Sequence, residues 1–312
     1  MRSDQRPDAG GPPTEITVGI LIADVTAIND VEQTISGDFV VRMSWIDPRL
    51  ADQAGCRFPL ARVWEPRLEL LNSSQLDAKR KFQRDQVEIK AGGRVHYHQR
   101  FFGAISTYHN LENFPFDPQT FSLQLTSSEY DAEEISFKID NKFTRVANRT
   151  NIPDWTMGKT AAAVEEMDFA GLERTRPIFT LKIDASRNTS FYVYKVMVPL
   201  SLIVMMSWSV FWINPVQFGP QIGLSATAML TLIAFQFALT GILPKLSYFT
   251  IMDKLLLGST VLVFFSMVES VTTINLVSRE REDLAVRLDK VCRWLFPLAF
   301  TLFWAAVIFL VA

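Results

Sequence analysis

The stretch "IFTLKIDASRNTSFYVYKVMVPLSLIVMMSWSVFWI" (Ile178–Ile213) changes solvent half-way along. Its first part, "IFTLKIDA", alternates Phe179, Leu181, Ile183 and Ala185 with Thr180, Lys182 and Asp184, the period of a strand with one buried face. From Lys195 to Ile213 no charge follows the first residue, and about 19 residues is the length a helix needs to cross hydrocarbon. A β-type region ends here and a membrane region begins.

Upstream the same alternation recurs in "ITVGILIADV", "DFVVRMSWI", "RVHYHQRFF", "TFSLQLTS" and "ISFKID", separated by turns. Short period-two segments at this spacing predict an antiparallel β-sandwich, although a barrel carries nearly the same pattern. Downstream, further apolar runs predict spans over about 221–243, 251–277 and 288–311, after a first span over 195–213. The expected organisation is a flexible leader over 1–14, an extracellular β-sandwich over 15–190 and a four-helix membrane domain over 191–312. Only 8 of the 31 Lys and Arg and 6 of the 33 Asp and Glu fall after residue 190, which leaves the first part mildly acidic. Nothing in this balance suggests nucleic acid. Cys56 and Cys292 lie in different parts, so no disulfide framework is expected.

The segment Ser278–Arg287 holds Arg279, Arg281 and Arg287, which by the positive-inside rule places it in the cytoplasm. Three spans precede it, so the β-domain lies outside, extracellular or periplasmic, on a multi-pass protein of the cell membrane. In the second span Gly223, Thr227, Leu230, Ala234, Phe237 and Gly241 recur at steps of three and four along one stripe. Repeated around the axis of a symmetric oligomer, Leu230 and Phe237 would form hydrophobic constrictions and Thr227 would offer hydroxyls to an ion. Small and hydroxyl residues also simply permit close helix packing in membranes. Glu269 is an acid inside the third span, and so a functional candidate.

Several motifs, in order along nearly the whole chain, resemble the pentameric ligand-gated ion channels of the Cys-loop receptor superfamily, most closely the prokaryotic members. "FPFDPQ" (Phe114–Gln119) is similar to the signature loop, "WIDPRL" (Trp45–Leu50) to the Trp-x-Asp-x-Arg-Leu segment, and "WEP" (Trp64–Pro66) to the Trp-x-Pro before the first binding loop. "KIDASRN" (Lys182–Asn188) resembles the last strand, and "ILPKLSY" (Ile242–Tyr248) the link between the second and third helices. Thr107 and Phe121 stand where the family's eukaryotic members carry the bridging cysteines; the prokaryotic members also lack them and share the short link over 278–287. The resemblance implies a homopentamer of four further identical subunits, membrane lipid and permeating ions as partners, no cofactor and no metal. It also implies that Pro115, Phe116 and Asp117 of the loop, Asp30 of the first β-turn, Arg187, and Pro244, Lys245 and Tyr248 couple the sandwich to the pore. Cation-selective members carry a glutamate near the start of the second helix, where "FGPQIG" has Pro220 and Gln221; the outer acidity and the prokaryotic relatives favour cations, and anion conduction is the alternative.

The resemblance puts the ligand between subunits, with Phe39, Arg94, Ser128, Tyr130, Phe169, Arg174 and Arg176 as the matching or flanking positions. Few of these are aromatic, which disfavours a quaternary amine held by cation–π attraction; the arginines suit a small anionic agonist. Protons are a second class of agonist, with His96, His98, His109, Glu129 and Asp131 as pH-sensing candidates. Two histidines without a further ligand do not make a metal site. No Gly-x-Ser-x-Gly, His-Glu-x-x-His or phosphate-cradling motif appears, so an enzyme is not expected. A membrane-anchored binding or sensor protein without conduction is the other class; four spans are more than an anchor needs.

Overall fold

The computed structural model describes residues 5–77, 85–147, 152–168, 174–241, 243 and 246–309. The chain divides into two compact units, Met1–His109 with Pro118–Ser186, and Asn110–Asp117 with Arg187–Ala312. The second boundary is unusual because a short loop from the middle of the β-region groups with the helices.

The first unit is a β-sandwich, not a barrel. One sheet has the order β10 (Arg145–Val146), β1 (Thr14–Asn29), β2 (Thr34–Ile46), β7 (Arg94–Ser106), β6 (Gln86–Lys90), β3 (Arg57–Pro59), with β5 (Ser73–Asp77) also on β7 and β9 (Ile135–Ile139) also on β1. The other has the order β11 (Trp155–Asp168), β12 (Thr175–Arg187), β8 (Pro118–Ser127), β4 (Leu68–Leu70). Alternation decides which side chains meet. Ile16, Val18, Ile20, Phe39, Val41, Met43 and Trp45 of the first sheet share one buried core with Phe121, Leu123, Leu125, Phe179, Leu181 and Ile183 of the second. Each such side chain contributes about 1.5–3 kcal/mol on leaving water. Asp47 of the Trp-x-Asp-x-Arg segment acts locally: its carboxylate accepts from the Arg49 backbone N–H at 3.1 Å and pairs with Arg49 Nε at 2.8 Å. Within the leader, Arg49 Nη2 donates to the Gln5 carbonyl at 3.1 Å and Arg6 Nη1 to that of Pro12 at 2.8 Å.

The second unit holds α1 (Ser190–Trp212), α2 (Phe218–Leu239), α3 (Ile251–Ser278) and α4 (Glu282–Phe309), all four long and apolar enough to cross a membrane. A π-turn over Val193–Met197 lies within α1. The α3 start is fixed by a reciprocal cap, in which the Thr250 hydroxyl accepts from the Asp253 N–H at 3.1 Å and Asp253 accepts from the Thr250 N–H at 2.9 Å. Gly258 of α3 lets the α4 side chain Phe303 approach so closely that a Cβ there would stand 2.2 Å from the ring.

Candidate functional site

The signature loop is built into the helical unit. Leu111 and Phe114 are fully buried there, and Phe116 packs on the same cluster. The Leu111 N–H donates to the Tyr248 hydroxyl at 3.1 Å, and the Ile251 N–H, opening α3, donates to the Glu112 carbonyl at 3.2 Å. The Phe114 ring meets Tyr192 of α1 edge-on at 4.8 Å, and the Arg187 guanidinium lies 4.8 Å over its face. Arg187 also pairs with Asp117 through Nε–Oδ1 and Nη2–Oδ2, both at 3.4 Å, with the two side chains 4% and 3% exposed. The Phe114–Pro115 peptide is cis. One loop thus meets the start of α1 and the entry to α3, while its chain runs back to β7 through Thr107–His109 and directly on into β8. Of the expected coupling residues, the structure joins Phe116, Asp117, Arg187 and Tyr248 in this unit; Pro244 and Lys245 lie outside the described residues.

Asp30 belongs to the other unit. Its Oδ1 lies 3.5 Å from Nδ1 of His109, whose Nε2 is 2.7 Å from the Thr107 hydroxyl. The His109 ring, wholly buried, stacks 5.1 Å from Phe121, which meets Trp155 at 5.4 Å. Residues 107 and 121, where a disulfide would stand in other members, are therefore bridged by an imidazole. His109 is not the surface imidazole that its place before a turn suggests; the burial of Phe121 by alternation was the one available signal.

The second helix sorts into two faces. Gln221, Ser225, Ala228, Leu232 and Leu239 are buried, with Ser225 Oγ 3.0 Å from Ser270 Oγ of α3 and Gln221 Nε2 donating to the Ile213 carbonyl at 3.3 Å. Gly223, Thr227, Leu230, Ala234, Phe237 and Gly241 are all exposed, Leu230 at 68% and Phe237 at 72%. Large apolar groups so open on a lone chain require something beyond it to face.

The expected ligand positions scatter. Phe39 is fully buried in the sandwich core and cannot touch a ligand; it shares the parity of Val41, Met43 and Trp45, a signal legible in the sequence. Arg94 opens β7 beside Ser44 and Glu15, along a cleft of about 340 Å³. At the end of β8, Tyr130 is half-buried and its hydroxyl accepts from Trp64 Nε1 at 2.9 Å. Ser128 donates to the Arg67 carbonyl, Arg67 pairs with Glu129 at 2.5 Å, Arg174 with Asp131 at 3.2 Å, and Arg176 donates to the Ser127 carbonyl at 3.2 Å. Ser128, Glu129, Tyr130, Asp131, Arg174 and Arg176 thus gather around one turn, with both arginines engaged. Phe169 lies outside the described residues. His96 and His98 share the outward face of β7, with Glu88 and Arg42 opposite them on β6 and β2. Burial first, then Lys90 and Arg94, hold the His96 imidazole below its usual range; burial and then Arg42 do the same to His98.

Two family profiles, one over the sandwich and one over the first three helices, match most of the chain. Residues 2–186 match the neurotransmitter-gated ion-channel ligand binding domain, and residues 196–286 the neurotransmitter-gated ion-channel transmembrane region. The chain belongs to the neurotransmitter-gated ion channel family. It is 25% identical over 276 residues, 85% of its length, to a gamma-aminobutyric acid receptor subunit beta of Caenorhabditis elegans. It spans about half the length of that relative. The family is one of gated channels and not of enzymes, and in this chain its extracellular ligand-binding domain is followed by four helices long and apolar enough to cross a membrane.

Proposed function

We propose that the protein is a homopentameric channel in which an agonist on the extracellular sandwich opens a pore lined by α2. The observation that carries this reading is the loop Asn110–Asp117, which continues β7 and β8 covalently yet packs with α1 and α3. Movement of β7 or β8, which belong to different sheets, would reach the helices through this buried, ion-paired segment. The exposed stripe of α2, opposite its buried face, supports a pore wall with Leu230 and Phe237 as constrictions and Thr227 as a polar ring. Thr107 and Phe121 in place of cysteines, and a link between α3 and α4 of only a few residues, support a place among the prokaryotic-type members.

The agonist is a small polar molecule or a proton, not a quaternary amine. The turn Ser128–Asp131 with Arg174 and Arg176 offers charge and hydrogen bonds but little aromatic surface. The mild acidity of the sandwich favours cations, but the start of α2 favours anions more directly. Its first turn has no acidic residue, and its unpaired N–H groups form the positive end of the helix dipole at the cytoplasmic mouth. We assign the preference to anions.

Voltage-clamp recording of the expressed protein, with the bath stepped from about pH 5 to about pH 9 and a panel of amino acids applied, tests the gating. A current whose activation shifts in Leu230→Ala supports the reading. Silence under every condition, with surface expression established, would leave a binding protein on a membrane anchor.

A further inference from the structure

Two carboxylates meet inside the helical unit, within hydrogen-bond reach of each other. Glu269 of α3 is 8% exposed and Asp289 of α4 is 1% exposed. The Thr273 hydroxyl lies 3.2 Å from Glu269 Oε1 and 3.3 Å from Asp289 Oδ1, and its single proton can serve one of them at a time. Asp289 Oδ2 is buried, and beyond a proton shared with the Glu269 carboxyl it has no donor. Among the described residues no lysine, arginine or histidine forms an ion pair with either acid. Arg293, one turn further along α4, acts on Asp289 only at a distance, since its Nε donates to the Phe211 carbonyl at 2.8 Å and its guanidinium lies 5.6 Å from the Trp212 ring.

Beside the pair lies a cavity of about 480 Å³ between α3 and α4, a size that takes a small organic molecule. Glu269 is the one charged residue in a wall otherwise made by groups such as Leu262, Phe265, Leu288, Leu295 and Phe296. A hydrated metal ion finds too few oxygens and no water-like surface here. An ammonium carrying a hydrocarbon body meets both needs, because its charge offsets the carboxylates where solvent cannot and its body covers the apolar wall.

We propose that this cavity is a binding site for hydrophobic amines, entered from the membrane, with the ammonium on Glu269 and the hydrocarbon between α3 and α4. The site is separate from the agonist turn and from α2.

The test is equilibrium binding of radiolabelled dodecylamine and, in parallel, of dodecanol to the purified full chain in lipid nanodiscs, with empty nanodiscs as background. The amine is expected to bind about tenfold more tightly than the alcohol, the value of one partly desolvated charge pair. Glu269→Gln keeps a partner for Thr273 and is expected to abolish that preference while leaving the alcohol unchanged. Ala299→Trp, which fills the cavity without touching either acid, is expected to weaken both ligands. Equal binding of amine and alcohol to the unaltered protein, a preference that survives in Glu269→Gln, or full binding in Ala299→Trp would each overturn the proposal. Binding is read without current, so a protein that never conducts can still bind the amine, and a conducting one can fail to.

Discussion

The Asp117–Arg187 pair shows what single residues do here. Both side chains are almost wholly buried, and the guanidinium also covers the Phe114 ring, so removing one partner takes a buried opposite charge away from the other. Breaking a buried pair from one side costs up to about 3–5 kcal/mol. Asp117→Asn should therefore lower the thermal midpoint of the purified protein, and Arg187→Lys should not restore it, because an ammonium cannot make two parallel contacts. An Arg187→Lys protein as stable as the original would show the pair to be a simple point attraction. His96 and His98 set a second residue-scale effect. Their native imidazoles lie below the unfolded value of about 6.5, so in that interval the unfolded chain binds more protons. Stability should rise with pH through the interval and be lost as pH falls through the native value. Melting scans between about pH 5 and pH 7.5 should show this slope, and His96→Gln with His98→Gln should flatten it.

Among the elements, the α3–α4 contact is the most sharply constrained. A methyl on Gly258 would enter the Phe303 ring, and overpacking of this kind costs about 1–3 kcal/mol. Gly258→Ala should lower the melting midpoint, and Gly258→Ala with Phe303→Leu should recover most of the loss; a harmless Gly258→Ala would mean that the ring swings freely aside. Elements were also where the sequence was most legible. Long apolar runs announced the spans, and alternation announced the sandwich, because both follow from the solvent on each side of the chain. What alternation encodes only in parity was misassigned at Phe39, whose face Val41, Met43 and Trp45 already fixed. What depends on distant partners could not be read at all. The imidazole between Thr107 and Phe121 joins three segments, and the pairing of Glu269 with Asp289 joins two helices whose sequences say nothing of their register.

On the scale of the whole molecule, the proposed pore raises the question of which ions it would pass, and the first turn of α2 is where that reading can be tested. The stripe through Thr227 and Gly223 continues, one turn earlier, to the exposed Pro220, whereas Gln221 is turned inward to the Ile213 carbonyl. A carboxylate at 220 would stand at the mouth, in the first helical turn, where the dipole stabilises it by about 0.3–1 kcal/mol. A carboxylate at 221 would be buried without a counter-charge, at a cost of several kcal/mol. In asymmetric salt the unaltered channel should reverse near the anion potential, and Pro220→Glu should move that reversal toward the cation potential. Gln221→Glu, one residue away, should leave the reversal in place and reduce the amount of folded protein at the surface. If the two substitutions shift the reversal equally, Gln221 reaches the pore and the face assigned to α2 is wrong. A reversal at the cation potential before any substitution would instead mean that the acidic sandwich, acting over a distance, outweighs the helix ends at the mouth.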